Sequence, residues 1–369
     1  MNDPHPLLTN ILSLAEAETW RSGDLSEQNI LAWLKGLDDL DLSHVYFTGC
    51  GTSLYAGQVG TYAMEALAHI PAEAVAGFAF ATYAERALLG PQTLVVGISA
   101  TGNTQATVDA LTRAKEASAL TLALTGDVGS KVTQVADATI PVSGPLTVSV
   151  KTRAYVQTLV ALYLLALRLA EASRSVSSEF VNHWERQLAR AAEASRNFLE
   201  NQSAEIEGIA REYAEASNVF VLGTGPNGGT AEEAALKFIE MAKVCSEAQD
   251  LENFLHGRLR EVDGSTPMIL IAPHGPASRR VLDVLTVTDY VGAPSVVLTD
   301  ESTADVERLA THVVQLPGGL DELATPLLYI TPLYLLGYYL AKHRGYDPGA
   351  RRYPKIVPQN VRYGDVLKT

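Results

Sequence analysis

The chain has 369 residues, 47 % hydrophobic and 19 % charged, enough apolar material for two ordinary domains and too little charge for a disordered chain. A formal net charge of −14 excludes general nucleic-acid binding, which depends on Lys and Arg neutralising phosphates. Two cysteines, Cys50 and Cys245, exclude a disulfide framework and a cysteine-based zinc set, and fit a reduced, cytoplasmic setting.

The opening stretch, "MNDPHPLLTNILSLAEAETW", lacks the basic start and continuous apolar core of a secretory leader. Residues 1–43 read as a helical, acidic arm. Short β-branched runs then follow at residues 45–48, 94–98, 120–124 and 138–142, each ending in small polar residues and leading into a helical pattern. A long apolar stretch at residues 155–170 is followed by one or two charged helices at 175–217. The strand pattern returns at 219–222, 268–272, 295–298 and 313–316, and a second apolar stretch covers 326–341. Both apolar stretches fall short of the roughly 20 residues that cross a bilayer, so they read as buried helices and no membrane partner is expected.

The second series repeats the first. "VYFTGCG" starts at Val45 and "VFVLGTG" at Val219, an offset of 174 residues (219 minus 45). The pairs Leu94 and Met268, Leu124 and Leu298, Gly144 and Gly318, and Tyr155 and Tyr329 keep that offset. One register over such a length marks an internal duplication. The expected fold class is α/β, two tandem doubly wound, flavodoxin-like parallel-sheet domains at 44–172 and 218–341. A helical linker spans 173–217 and a tail spans 342–369.

In such sheets ligands sit at the carboxyl ends of strands. Two strand-end loops in the first copy, "TGCGTS" (48–53) and "SATGNT" (99–104), combine hydroxyls, glycine and helix-start N–H groups, which suits a phosphate. The same hydroxyls also suit helix caps. "APHGPA" replaces the second loop in the second copy, so one phosphate site per chain is expected, with "TGPNGG" (224–229) able to hold another part of the ligand. No dinucleotide or nucleoside-triphosphate fingerprint and no metal-ligand spacing occurs, so neither cofactor nor metal is expected. In "AEEAALKFIE" (231–240), Glu233, Lys237 and Glu240 share one helical stripe. That stripe is either a solvated ion-paired face or a wall turned toward substrate. Ala235, Phe238, Ile239 and Ala242, opposite, read as core-directed.

Taken together, "GCGTS", "SATGNT", "KTRAY", "EEAALKFIE" and "FLHG" resemble the SIS (sugar isomerase) family. The likeness is to the isomerase half of glucosamine-6-phosphate synthase and to stand-alone amino-sugar-phosphate deaminases/isomerases and fructosamine deglycases. The resemblance implies two SIS-type domains and a small-molecule sugar phosphate held by Gly51, Thr52, Ser53, Ser99, Ala100, Thr101, Thr104 and Lys151. It implies that Glu233, Lys237 and Glu240 line the active site, with Glu240 moving a proton between C1 and C2. His256 would open the sugar ring, and Lys355 in the tail, which closes the site, would contact the open-chain carbonyl. It also implies a homodimer whose sites share the neighbour's histidine loop. The chemistry agrees: a carboxylate serves as base if burial raises its pKa, and an imidazole both donates and accepts near neutrality.

Departures from the synthase pattern are specific. Asn2 stands where the synthase has its cysteine nucleophile, so glutamine is not the expected nitrogen donor. Ala100, Thr101, Asn103 and Arg258 also differ, which points to another substrate. The leading expectation is a phosphosugar isomerase/deaminase that releases ammonia from an amino-sugar 6-phosphate. A fructosamine-6-phosphate deglycase and a non-catalytic sugar-phosphate-binding regulator are the alternatives.

Overall fold

The computed structural model describes residues 5–20, 42–142, 149–354 and 356. Strands β1 (His44–Gly49), β2 (Ala72–Ala76), β3 (Thr93–Ile98), β4 (Leu120–Thr125) and β5 (Ala138–Pro141) form one parallel sheet in the order β2-β1-β3-β4-β5. Strands β6 (Asn218–Leu222), β7 (Cys245–Gln249), β8 (Met268–Ile271), β9 (Ser295–Thr299) and β10 (His312–Gln315) form a second, in the order β10-β9-β8-β6-β7. Read from the opposite edge, the second order is the first. β6 begins 174 residues after β1 (218 minus 44), so the sequence offset is an offset of structure.

Each sheet has five strands, not the four read from β-branched runs. The additional ones, β2 ("AEAVA") and β7 ("CSEAQ"), are sheet edges whose residues are all half-buried or exposed. An edge strand that buries neither face needs no β-branched or apolar run, so it carries no periodic signal. The central strand β3 is buried throughout and reads as a continuous apolar run.

Each repeat has a smaller apolar core of its own, and one apolar core joins the two repeats. It is built on helices Arg153–Ala172 and Pro326–His343, with Ser178–Asn201 and Leu7 and Ile11 of the short helix Pro6–Leu12 packed onto them. Arg153–Ala172 is longer than its apolar sequence run suggests. By length and composition it passes for a membrane span, but 83 % of its apolar window is buried inside the protein. Residues 21–41 of the expected N-terminal arm lie outside the described residues.

The helices that follow β1 and β6, Thr52–Ala63 and Gly228–Ala242, cross each other between the sheets. Gly229 makes the crossing possible: a Cβ there would lie 2.6 Å from the Tyr55 carbonyl oxygen and 2.9 Å from Val59 Cγ2. Arg344 fastens the far end of Gly228–Ala242, donating to the Ala242 carbonyl at 3.1 Å and to those of Ala214 and Ala216 at 2.6 and 2.7 Å.

Candidate active site

The crossing places the start of the first helix beside the middle of the second. Lys237, fully buried, extends its ammonium into that junction. Nζ meets Glu240 Oε2 at 2.7 Å, Thr52 Oγ1 at 2.8 Å and Glu233 Oε1 at 3.3 Å, one acceptor for each of its three protons. Glu233 is also fully buried, whereas the Glu240 side chain keeps 38 % of its surface open. The stripe is therefore neither a solvated face nor uniformly a wall: two members are interior and the last one opens outward. Ala235, Phe238 and Ala242 are core residues as expected, but Ile239 is 45 % exposed, because it neighbours Glu240 on the open side.

The strand-end loops of the first repeat sit at the β1/β3 switch point, where strand order reverses. Capping does not explain their hydroxyls. The N-cap of Thr52–Ala63 is Gly51, and that of Gln105–Glu116 is Thr104; neither makes a side-chain capping bond. Ser99 Oγ instead donates to Thr104 Oγ1 at 3.2 Å, and the Ala100 carbonyl accepts from Gly126 N at 3.0 Å. Thr101, like Ser53, is half-buried, and its carbonyl accepts from Asn103 Nδ2 at 2.9 Å. Thr52 turns toward Lys237, so its hydroxyl belongs to the carboxylate–lysine cluster rather than to the loop alone.

Burial pushes the Glu233 carboxyl from its ordinary 4.5 up to about 7, against the pull of the Lys237 ammonium and the Thr52 and Tyr334 hydroxyls. Burial likewise disfavours the Lys237 ammonium, but Glu233 and Glu240 outweigh it and carry its pKa above the usual lysine value. The carboxylate that burial lifts toward neutrality is thus Glu233. The folded protein holds this proton more tightly than the unfolded chain, so stability falls as pH rises from about 4.5 to about 7. Denaturant midpoints measured across that range should show this fall for the wild type and a flatter profile for Glu233→Gln; parallel profiles would assign the titration elsewhere.

Lys151 faces the same cluster. Burial lowers its pKa first, then the nearby cations Arg351 and Lys237, with Glu240 opposing them. Tyr55 turns toward the carboxylates too: burial and then Glu232 and Glu233 raise its pKa. His256 is not brought to the cluster. Its ring is 74 % exposed and pairs with Glu252 Oε1 at 2.9 Å, on a surface that Arg280 shares. Lys355 lies outside the described residues. Thr224, Gly225, Gly228 and Gly229 of "TGPNGG" line a cavity of about 530 Å³ with Glu73, Glu232 and Asp250.

The model of the SIS domain matches residues 41–168 and 212–344, one segment per sheet. The chain belongs to the SIS domain family. It is 32 % identical over 335 residues to a glutamine–fructose-6-phosphate aminotransferase (isomerizing) of Pseudomonas putida, an alignment covering 88 % of this chain and 54 % of that protein. A second such aminotransferase, from Caldanaerobacter subterraneus, is 31 % identical over 84 % of this chain and 51 % of its own. This SIS chain thus spans about half the length of the curated relatives it matches. Among solved structures, the C-terminal domain of glucosamine-fructose-6-phosphate aminotransferase from Francisella tularensis superposes with a TM-score of 0.85 at 21 % identity, covering 95 % of this chain and 99 % of that one.

Two features of the candidate site escape a reading of sequence. One is Tyr334, whose hydroxyl donates to Glu233 Oε1 at 3.0 Å inside the core. The other is the bond from Lys237 to Thr52, 185 positions away. The only signal for the first is a hydroxyl in a run that otherwise reads as core, where a buried tyrosine needs a partner.

Proposed function

We propose that the chain is a phosphosugar isomerase/deaminase that converts an amino-sugar 6-phosphate into a ketose 6-phosphate and ammonia. The observation that carries this reading is the buried Lys237 ammonium, held between Glu233 and the half-open Glu240 next to strand-end loops rich in hydroxyls. Ser53, Ser99, Ala100, Thr101 and Thr104 hold the phosphate with their hydroxyls and backbone, Gly51 lets the chain approach it closely, and Lys151 adds positive charge. His256 opens the ring, and its outward position fits service in the site of a second copy in a homodimer.

In the open chain, Glu240 takes the proton from C2, giving an enolamine, and returns it to C1. The product is an imine at C2. Water adds to that carbon, and ammonia leaves as the ketone forms. Lys237 opposes the negative charge that develops on O1 while the proton is in transit, and Lys355 contacts the same carbonyl group. No redox partner or metal enters this balance.

Related proteins support the substrate class. A solved structure named glucosamine-6-phosphate deaminase, from Thermotoga maritima, shares the fold with a TM-score of 0.70 at 20 % identity, covering 96 % of this chain and 99 % of that one. Incubation with glucosamine 6-phosphate is expected to yield ammonia and fructose 6-phosphate in equal amounts. Silence with that substrate, together with turnover of fructoselysine 6-phosphate, would replace the deaminase reading by a deglycase.

A further inference from the structure

Glu233 is surrounded from four helices. Lys237 and Glu240 face it along its own helix, and Thr52 and Tyr55 face it from Thr52–Ala63. Tyr155 approaches from Arg153–Ala172 and Tyr334 from Pro326–His343. Only one of the two buried tyrosines closes a well-formed bond. Tyr334 Oη donates to Glu233 Oε1 at 3.0 Å, while Tyr155 Oη, like Glu233 Oε2, has no such partner among the described residues.

We propose that Tyr334 is a positioning residue for the active site: its hydroxyl pins the Glu233 carboxylate and, through it, the Lys237 ammonium that faces Glu240. This rests on the isomerase/deaminase reading. The geometry explains why one hydroxyl has leverage. Lys237 has three protons and three acceptors, so its Nζ stays placed only while all three are fixed. Thr52 is fixed by its helix, and Glu240 is partly open. Glu233 sits in an apolar core beside the Lys237 ammonium and the Thr52 hydroxyl, and a carboxylate that loses the Tyr334 donor there is freer to turn about its last torsion or to take up a proton. In either case the inner anchor of Lys237 is lost, and the ammonium follows Glu240 outward. A tyrosine that merely parked its hydroxyl on a convenient acceptor would have no such consequence.

Tyr334→Phe removes the hydroxyl and keeps the ring, so packing is preserved. A buried hydrogen bond to a charged group is worth roughly 1.5–3 kcal/mol, or about 10- to 100-fold. The variant should melt like the wild type and lose kcat by about that factor at nearly unchanged KM. The acid limb of its pH profile should move upward, because the donor favours the ionised carboxylate. Tyr155→Phe, which leaves the bond from Tyr334 to Glu233 in place, should stay much nearer the wild type in all of these. Carboxyl titration of Glu233, followed by ¹³C NMR on glutamate-labelled protein, reads the same contact without substrate. Its midpoint should rise by about one to two pH units in Tyr334→Phe. An unmoved midpoint overturns the proposal even if the enzyme is active. A shifted midpoint in a chain that turns over no phosphosugar supports the contact and removes the isomerase/deaminase reading instead. A shifted midpoint with wild-type kcat makes Tyr334 structural only and also overturns it.

Discussion

Glu240→Gln is expected to lower kcat by about 10²- to 10⁴-fold, the range that a positioned general base contributes, while leaving sugar-phosphate affinity within a few-fold. The substitution keeps the shape of the side chain and a carbonyl oxygen able to accept from Lys237 Nζ, now 2.7 Å from Glu240 Oε2. What it removes is the ability to take a proton from carbon. Binding measured by calorimetry alongside turnover separates the two readings of this site. Lost turnover with retained binding supports the base. Retained turnover places the base elsewhere, and binding with no turnover even in the wild type would make the protein a sensor of sugar phosphates.

Lys237→Met is expected to cost about 3–5 kcal/mol in stability as well as activity, because it strands a buried carboxylate without its counter-charge. The cost should depend on pH. Glu233 already binds its proton up to about pH 7 in the wild type, and without the ammonium that value moves higher still. Destabilisation is therefore smaller at pH 6 than at pH 8, since a protonated Glu233 needs no partner. Denaturant midpoints at the two pH values check the direction. The double variant Lys237→Met with Glu233→Gln should recover much of the loss, as removing both partners is far less costly than removing one. A single variant within about 1 kcal/mol of wild type at both pH values would show that the pair is not the buried charge system described here.

The duplication was legible because the buried central strands and the turns after them repeat at one spacing, and burial on both faces leaves an apolar run that cannot be missed. The edge strands β2 and β7 were not, since half-exposed residues leave no pattern. The stripe on Gly228–Ala242 shows the deeper limit. Spacing along one helix gave the alignment of Glu233, Lys237 and Glu240, but not which of them is buried. That depends on Thr52 and Tyr334, which lie 185 and 101 positions from their partners. Ile239 reads as core by its type and is exposed by its neighbours. The hydroxyls of the first repeat's strand-end loops were equally ambiguous, and the absence of side-chain caps at Gly51 and Thr104 separates them from ordinary helix starts.

The contact at Gly229 also has a metrical consequence. Two helices that touch at backbone distance have no slack to slide, so the span from the first repeat's strand-end loops to Glu240 is a fixed length. The joint between the repeats then works as a gauge. Under the proposed function, a sugar phosphate gripped at one end would present to the carboxylate whichever carbon lies at that length, whatever the configuration of the carbons between. Chain length would then be sorted first, by the skeleton of the protein, and stereochemistry left to the side chains that line the way.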